Sequence, residues 1–412
     1  MAGHHPFRIV MTQADRQSLG LILLLAFLAA IGPLSVDTYL PGLPDIAAEF
    51  GVSSALAQQS VTSFFIGIAV GQLFAGPLSD RFGRRPVLLI GFGLFFLATI
   101  GCALAQDAHS LILARGLQGL AAAASPAAGR AMVRDIWEGN QAARAMSYIT
   151  MAVIIAPLIA PTLGGFVLAH WDWRTIFWML LLFAATCLLL VLWRLPETNG
   201  PEKRGNVFLN DYFRAYARVL RKQQSWAYLL CGGLSYATMF AYITGSPFVY
   251  IEIFHVPETH FGIYFGINVI GLFVGTWINS RLVMRFGYRR MLAAGVLVSL
   301  AGSLFLLTTS LLGMGGILAM VIGLFIAVGP ASMIGANSTV GLMNLYPHNA
   351  GAAAALFGVA QFGLGAIASL LVGLFYTGTP VAMTLAMSVT AIGSTLALGW
   401  LLRGRQPSAA VT

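Results

Sequence analysis

The sequence predicts an all-α integral membrane protein of twelve transmembrane helices, arranged as two pseudo-symmetric six-helix bundles. Three observations carry that prediction: a shortage of charge, twelve apolar runs of membrane-crossing length, and a repeat at half the chain length. Of 412 residues, 58% are hydrophobic and only 9% charged, where a soluble globular chain carries about 25% charged residues. No soluble fold of this size hides so much apolar surface, so the bilayer is its solvent. The net charge of +9 does not point to nucleic acid, because the basic residues cluster between apolar runs, as membrane topology requires.

The first eighteen residues are polar and basic, and the apolar run that follows from Leu19 continues to about Leu40 without a polar break. A signal peptide has a shorter core and a small-residue cleavage site, so this run reads as a retained first span. Apolar stretches of the length that crosses roughly 30 Å of hydrocarbon then recur at about 57–77, 86–105, 110–132, 145–168 and 175–195. The second series is 226–250, 261–283, 290–310, 315–339, 351–373 and 380–402. With both termini placed in the cytoplasm, 21 of the 23 Lys and Arg fall before span 1, in inward loops, or at span ends near them. Arg174 and Arg115 are the exceptions, and the reverse orientation would have to explain many more.

The longest polar segment, Pro196 to Ser225, lies midway and holds Lys203, Arg204, Arg214, Arg218, Arg221 and Lys222. The expected organisation is therefore an N-terminal bundle (1–195), a cytoplasmic linker (196–225) and a C-terminal bundle (226–412). Within the linker, Asn210 to Arg221 fits an amphipathic helix lying on the membrane face. Sliding the chain by 204 residues lays "GIAVGQLFAGPLSDRFGRRPVLLIG" (67–91) over "GLFVGTWINSRLVMRFGYRRMLAAG" (271–295), with ten identities in 25 positions. Two parallel repeats with a cytoplasmic joint are what an alternating-access transporter needs, its halves rocking around a midplane site.

Four charges stand in the six residues Asp80–Arg85, between two apolar runs. The second copy keeps Arg285, Gly287 and Arg289 but has Met284 in place of Asp80. Topology needs only the arginines, so Asp80 has a further task. Gly83 permits a tight turn with positive φ, Gly76 allows close helix approach, and Asp80 suits the exposed amides at another helix's N-terminus. Arg134 and Asp135, at the inner end of span 4, stand where they complete a charge network with Arg81 or Arg84. The bland alternative is that these charges only fix topology.

Gly76, Leu78, Asp80, Arg81, Gly83, Arg84 and Arg85 resemble, position by position, the G-x-L-x-D-R-x-G-R-R/K loop signature of the major facilitator superfamily. The resemblance implies an inner-gate latch against the start of span 11, near Gly351. "ILARGLQGLAAAA" in span 4 is similar to the superfamily's R-x-x-Q-G signature of proton-coupled carriers, on Arg115, Gln118 and Gly119. "APLIAPTLGG" in span 5 is similar to the antiporter signature G-x-x-x-G-P-x-x-G-G. Ala156 and Ala160 replace two glycines there, while Pro161, Gly164 and Gly165 stand; smallness survives and glycine's flexibility does not. With "DTYLPGLPDIAAEF" (37–50) and "SPFVYIEIFHVPETHFGIYFGIN" (246–268), the chain resembles the Bcr/CflA subfamily of bacterial drug-resistance transporters. That likeness implies a multi-pass protein of the bacterial inner membrane, monomeric, exporting drugs or small amphipathic metabolites in exchange for protons. No cofactor is implied, the proton gradient being the energy source.

Of fourteen acidic residues, Asp37 alone falls well within a membrane-crossing run. A charge at the bilayer centre costs roughly 2.5–3.5 kcal/mol on insertion scales, so such residues tend to be functional. Asp37 is therefore the candidate proton site; if span 1 instead ends at Pro33, it lies in a wet outer loop. Arg115 either faces the cavity and tunes Asp37, directly or through Gln118, or snorkels outward. Candidate substrate contacts are Tyr39, Gln118, Tyr236, Met239, Phe240, Asn268, Asn337 and Gln361, with ordinary helix packing as the alternative for each. Glu252, His255, Glu258 and His260 read as solvated loop residues, and Cys102, Cys187 and Cys231 as packing residues, so no metal site is expected. No loop is long enough for a soluble catalytic unit and no G-x-x-x-x-G-K-[ST] occurs, which argues against an enzyme or an ATP-driven pump. Uptake by a proton symporter or facilitator is the remaining alternative.

Overall fold

Inside a bilayer every backbone amide must be satisfied within its own segment, which leaves helices as the form that runs such as these can take. The computed structural model describes residues 13–200 and 209–403, and all regular structure among them is helical. Span 1 is made of α1 (Gln13–Ala29), α2 (Ile31–Asp37), a 3₁₀ turn (Leu40–Gly42) and α3 (Leu43–Phe50). Spans 2 and 3 are α4 (Ser54–Phe82) and α5 (Arg84–Ala103), and span 4 is α6 (Ala108–Ala122) with α7 (Ala124–Ile136). Spans 5 and 6 are α8 (Gly139–Leu168) and α9 (Trp173–Arg194), and the linker contains α10 (Leu209–Arg221). Span 7 is α11 (Gln223–Pro247), continued by a π-helical turn (Phe248–Ile253). Spans 8 and 9 are α12 (Glu258–Phe286) and α13 (Tyr288–Leu312), and span 10 is α14 (Gly316–Val328) with α15 (Ala331–Asn344). Spans 11 and 12 are α16 (Ala350–Leu374) and α17 (Val381–Arg403).

Eleven of these segments are long and apolar enough to cross a membrane. The twelfth, span 4, is split at Ala123 and carries Arg115, Arg130, Arg134 and Asp135. Helices extend past the apolar runs: span 2 has 29 residues, about 43 Å at 1.5 Å per residue, enough to reach through the headgroups as well as the hydrocarbon. Span 1 likewise stays helical beyond Pro33 and Leu40, to Phe50. Loop chemistry ends the helices. Ser53 accepts from the Leu56 amide at the start of span 2, Asp107 forms a capping box at span 4, and Gly51 closes α3 in the left-handed conformation. Arg174, at the start of span 6, is held by Glu49 at 2.5 Å and by the Ala105 carbonyl at 3.0 Å.

The repeat is visible in the packing. Gly83 and Gly287 turn the chain between spans 2 and 3 and between spans 8 and 9 with φ of 106° and 80°, a region that favours glycine. Gly67 and Gly71 lie against the backbone of span 4 at Gly116 and Leu120, and their counterparts Gly271 and Gly275 lie against span 10 at Phe325 and Gly329. Spans 4 and 10 both break midway, at Ala123 and at Gly329–Pro330. Between the halves, the main seams are span 2 on span 11 and span 5 on span 8.

Helix α10 departs from expectation. Its apolar side, with Ala215, Tyr216 and Val219, is buried in a cluster with Tyr228, Leu292, Leu342 and Ala353 of the second half. It therefore packs on protein, against an apolar floor formed by spans 7, 9, 10 and 11. The linker positions Lys203 and Arg204 lie outside the described residues.

Candidate functional site

Asp37 ends α2 and is only 4% exposed. A turn at Thr38–Tyr39 and a 3₁₀ turn join α2 to α3, so Asp37 is buried within a continuing chain of helical segments and not in an open loop. Among the described residues its carboxylate has no hydrogen-bond or ion-pair partner. Tyr242 of span 7, in the other half, lies within electrostatic reach of it. The Tyr242 hydroxyl accepts from Asn268 Nδ2 of span 8 at 3.0 Å. Phe265 stacks on Tyr242 at 5.4 Å, and Tyr264 on Tyr250 at 5.3 Å. Asn268 Oδ1 and Thr38 Oγ1, the latter on the residue after Asp37, are buried with no hydrogen-bond partner among the described residues, and the Tyr250 hydroxyl lies within hydrogen-bonding reach of the Asn268 side chain. A buried polar atom without a partner costs about 1–3 kcal/mol, so Asn268 and Thr38 each keep a group that a polar ligand could satisfy.

The span 5 residues pack against the residue after Asp37. Ala156 and Ala160 are buried, and two prolines, Pro157 and Pro161, lie within the helix. A Cβ on Gly164 would fall 2.0 Å from the carbonyl oxygen of Thr38, and one on Gly165 would fall 2.3 Å from that of Glu258. Gly262 of span 8 meets Thr162 in the same way. Span 5 is thus wedged, backbone to backbone, between span 1 at Thr38 and the start of span 8 at Glu258.

Arg115 is fully buried, and it neither snorkels nor reaches Asp37. Its guanidinium lies 4.3 Å from the ring centre of Phe64, 4.8 Å from Tyr39 and 5.9 Å from Phe177. One nitrogen donates to Gln118 Oε1 at 2.5 Å, and Gln118 Nε2 donates to Thr99 at 2.8 Å. Nε and Nη2 have no partner. Tyr39 in turn bonds Ser60 at 2.8 Å. Arg115 therefore touches span 1 two residues past Asp37, through an aromatic cage that offsets part of its desolvation.

The remaining candidates divide. The polar ends of Tyr39 and Gln118 are used inside the first half, and Asn337 is used inside the second, donating to Asn279 Oδ1 at 2.7 Å. Phe240 reaches the seam, its ring 4.4 Å from Phe65 of span 2 and 5.3 Å from Phe362 of span 11. Tyr236 packs beside it on Phe357 at 6.3 Å, and Met239 and Gln361 are half-buried on the same two helices. Phe65 and Phe362 escaped the sequence reading because nothing distinguishes them from other phenylalanines in apolar helices.

At the inner end, Asp80 pairs with Arg84, which also bonds Asp135 at 3.0 Å. The second Asp80 oxygen accepts from the Tyr212 hydroxyl of α10. No bond from Asp80 to the span 11 amides occurs among the described residues; its oxygens go to Arg84 and Tyr212 instead. The anion at a helix N-terminus is Glu197 instead, accepting from the amides of Arg84 and Arg85 at 3.0 and 3.2 Å at the start of span 3. Arg85 donates to the Val191 and Leu192 carbonyls at the end of span 6. Arg81 is exposed over Phe82, and Arg134 is exposed without an ion pair among the described residues. Gly76 has open space around it; the close approaches belong to Gly67 and Gly71. Burial, with the Asp80 carboxylate, pushes the Tyr212 phenol above its usual range and Tyr216 up to about 12, so both remain donors.

Two joined helical bundles with a buried, unpartnered carboxylate between them suit a membrane transporter. A profile of the Major Facilitator Superfamily matches residues 25–370, and the chain belongs to that superfamily. It is 35% identical over 346 residues to the MFS-type transporter YdgK of Bacillus subtilis (strain 168), covering 84% of this chain and 86% of that one. It is 32% identical over 341 residues to a bicyclomycin resistance protein homolog of Haemophilus influenzae, covering 83% and 85%. It is 28% identical over 346 residues to multidrug resistance protein D of Escherichia coli (strain K12), covering 84% and 86%. Among solved structures, a D-xylose-proton symporter superposes with a TM-score of 0.75 at 17% identity, over 93% of this chain and 97% of that one. The nucleoside transporter NupG superposes with a TM-score of 0.71 at 14% identity, over 94% and 99%. At these identities the two structures speak for the fold alone.

Proposed function

We propose that the protein is a proton-coupled antiporter that exports drugs or small amphipathic metabolites across the bacterial inner membrane. The bundles 1–195 and 226–412 rock about Asp37 as one monomer, with the linker 196–225 and both termini in the cytoplasm. The proton gradient supplies the energy without a cofactor. The observation that carries the reading is Asp37, a buried carboxylate on the seam with no partner of its own.

In the outward-open state Asp37 takes a proton, which removes the cost of a buried charge and lets the outer end close. In the inward-open state a substrate on the seam favours the ionised carboxylate, and the proton leaves to the cytoplasm. Each proton moved inward also brings about 2.3 kcal/mol per 100 mV of membrane potential. Asn268 Oδ1 and the Tyr250 hydroxyl anchor polar groups of the substrate, while Phe65, Phe240 and Phe362 receive its apolar part. Arg115 acts on Asp37 at one remove, by fixing Tyr39 and so the end of α2. The names of the resistance-protein relatives favour drugs as cargo. The test uses everted vesicles loaded by an imposed proton gradient. Asp37→Asn abolishes substrate-for-proton exchange while folded protein stays in the membrane; exchange at the parental rate would overturn the assignment.

A further inference from the structure

The end of span 7 abandons α-helical bonding just after Pro247, where Phe248–Ile253 forms a π-helical turn. Two residues on, His255 is the one non-glycine residue with positive φ (52°) among the described residues. Such turns are frequent at functional sites, where the rest of the structure compensates for their poorer geometry. This one directs Glu252 across the seam. Glu252 Oε1 accepts from Ser54 Oγ at 3.3 Å, in the first turn of span 2, and Oε2 accepts from the Tyr376 hydroxyl at 2.9 Å, just past span 11. Ser54 belongs to the first half, Glu252 and Tyr376 to the second. Phe248, in the same turn, packs its ring 5.7 Å from that of Tyr376. Directly beneath, Gln58 donates to the Ser369 carbonyl at 3.2 Å and Thr62 bonds the Ser369 hydroxyl at 2.6 Å. Glu252 is thus half-buried and engaged, not the solvated loop residue that the sequence pattern predicts.

We propose that Glu252 is the outer clasp of the transport cycle, a positioning residue that holds the outer ends of spans 2 and 11 together through two hydroxyls. A carboxylate held by hydroxyls suits a closure that must open in every cycle. The Tyr376 bond is of ordinary length and the Ser54 bond across the seam is long at 3.3 Å, so the pair is easily parted; parting leaves no bare cation behind, and water can replace either hydroxyl. The π-turn supplies the backbone play for Glu252 to withdraw as span 7 tilts. This inference requires alternating access and is independent of proton coupling at Asp37.

The test is the rate of disulfide formation between cysteines placed at 55 and 373 (Ala55→Cys with Gly373→Cys). A Cβ on Gly373 stands 3.6 Å from the Ala55 Cα, within disulfide range when the outer end is shut. The three native cysteines are buried. In the purified full-length protein, Glu252→Ala, which removes both hydroxyl bonds, slows cross-linking about tenfold. Glu252→Gln, whose amide oxygen still accepts one hydroxyl, gives an intermediate rate. Tyr376→Phe, a change too mild to threaten folding, slows cross-linking in the parental background and has no further effect on Glu252→Ala. Parental rates in Glu252→Ala and Tyr376→Phe, or additive effects of the two, would overturn the clasp. Should Glu252→Ala not yield monodisperse protein, Tyr376→Phe and Glu252→Gln decide the question alone.

Discussion

Replacing Gly164 by alanine is the smallest change that sets the span 5 wedge against Asp37. The added methyl would stand 2.0 Å from the Thr38 carbonyl oxygen, 3.0 Å from its carbon and 3.0 Å from Pro41 Cγ. Two of those three contacts are backbone, so no side chain can rotate out of the way. Restoring a separation of about 3.5 Å requires spans 1 and 5 to part by more than about 1 Å, and overpacking of this kind costs typically 1–3 kcal/mol. The displaced residue adjoins Asp37, so the effect falls on transport as well as on stability. Gly164→Ala lowers the melting temperature in detergent by several degrees and reduces export at least tenfold, measured as substrate efflux from loaded cells. Ala160→Gly, which restores the glycine of the antiporter signature at a buried site without adding an atom, leaves export within about threefold of parental. If Gly164→Ala exported normally while remaining folded, the wedge would not be positioning Asp37 and the account of span 5 would be wrong.

At the inner end, Tyr212→Phe removes one donor from Asp80 and costs about 1 kcal/mol, seen as faster proteolysis of the linker; Asp80→Asn, which also breaks the Arg84 pair, has the larger effect, and equal effects would contradict the network. Tyr216 is raised to about 12 by burial and Asp80, so its contribution is complete below the unfolded phenol value near pH 10 and is lost as pH rises toward 12. The melting temperature of Tyr216→Phe therefore falls less steeply than that of the parent between pH 10 and 12. Arg115→Lys keeps the charge but not the flat face on Phe64 or the fork toward Gln118, and transport falls at least tenfold; a fully active lysine variant would show that charge alone suffices. Phe240→Ala, which empties the contact between Phe65 and Phe362, weakens binding of bulky substrates more than of small ones in a fluorescence-quenching titration.

The architecture was legible because bilayer physics leaves so few options. Long apolar runs, basic inner loops and glycines repeating at an offset of 204 each register in sequence without any knowledge of contacts. Asp37 stood out for the same reason, as an acid inside an apolar run. Contacts between distant segments did not register. Tyr212 sits in a linker whose amphipathic pattern reads equally as a lipid-facing helix, and only the apolar floor formed by spans 7, 9, 10 and 11 decides for protein. Glu197 follows a proline at a helix end, with nothing to signal that it caps span 3. Glu252 has the local pattern of a loop acid, because a π-turn leaves no periodic mark. Gly76 and Gly71 look alike in sequence, yet only one of them meets a neighbouring backbone.

The most direct test of the central claim is proton release on substrate binding, followed with a pH indicator in weakly buffered detergent solution. Purified parental protein, titrated with a transported drug, releases about one proton per bound molecule as Asp37 ionises. Asp37→Asn binds the drug and releases none. Equal proton release from both proteins would contradict the account.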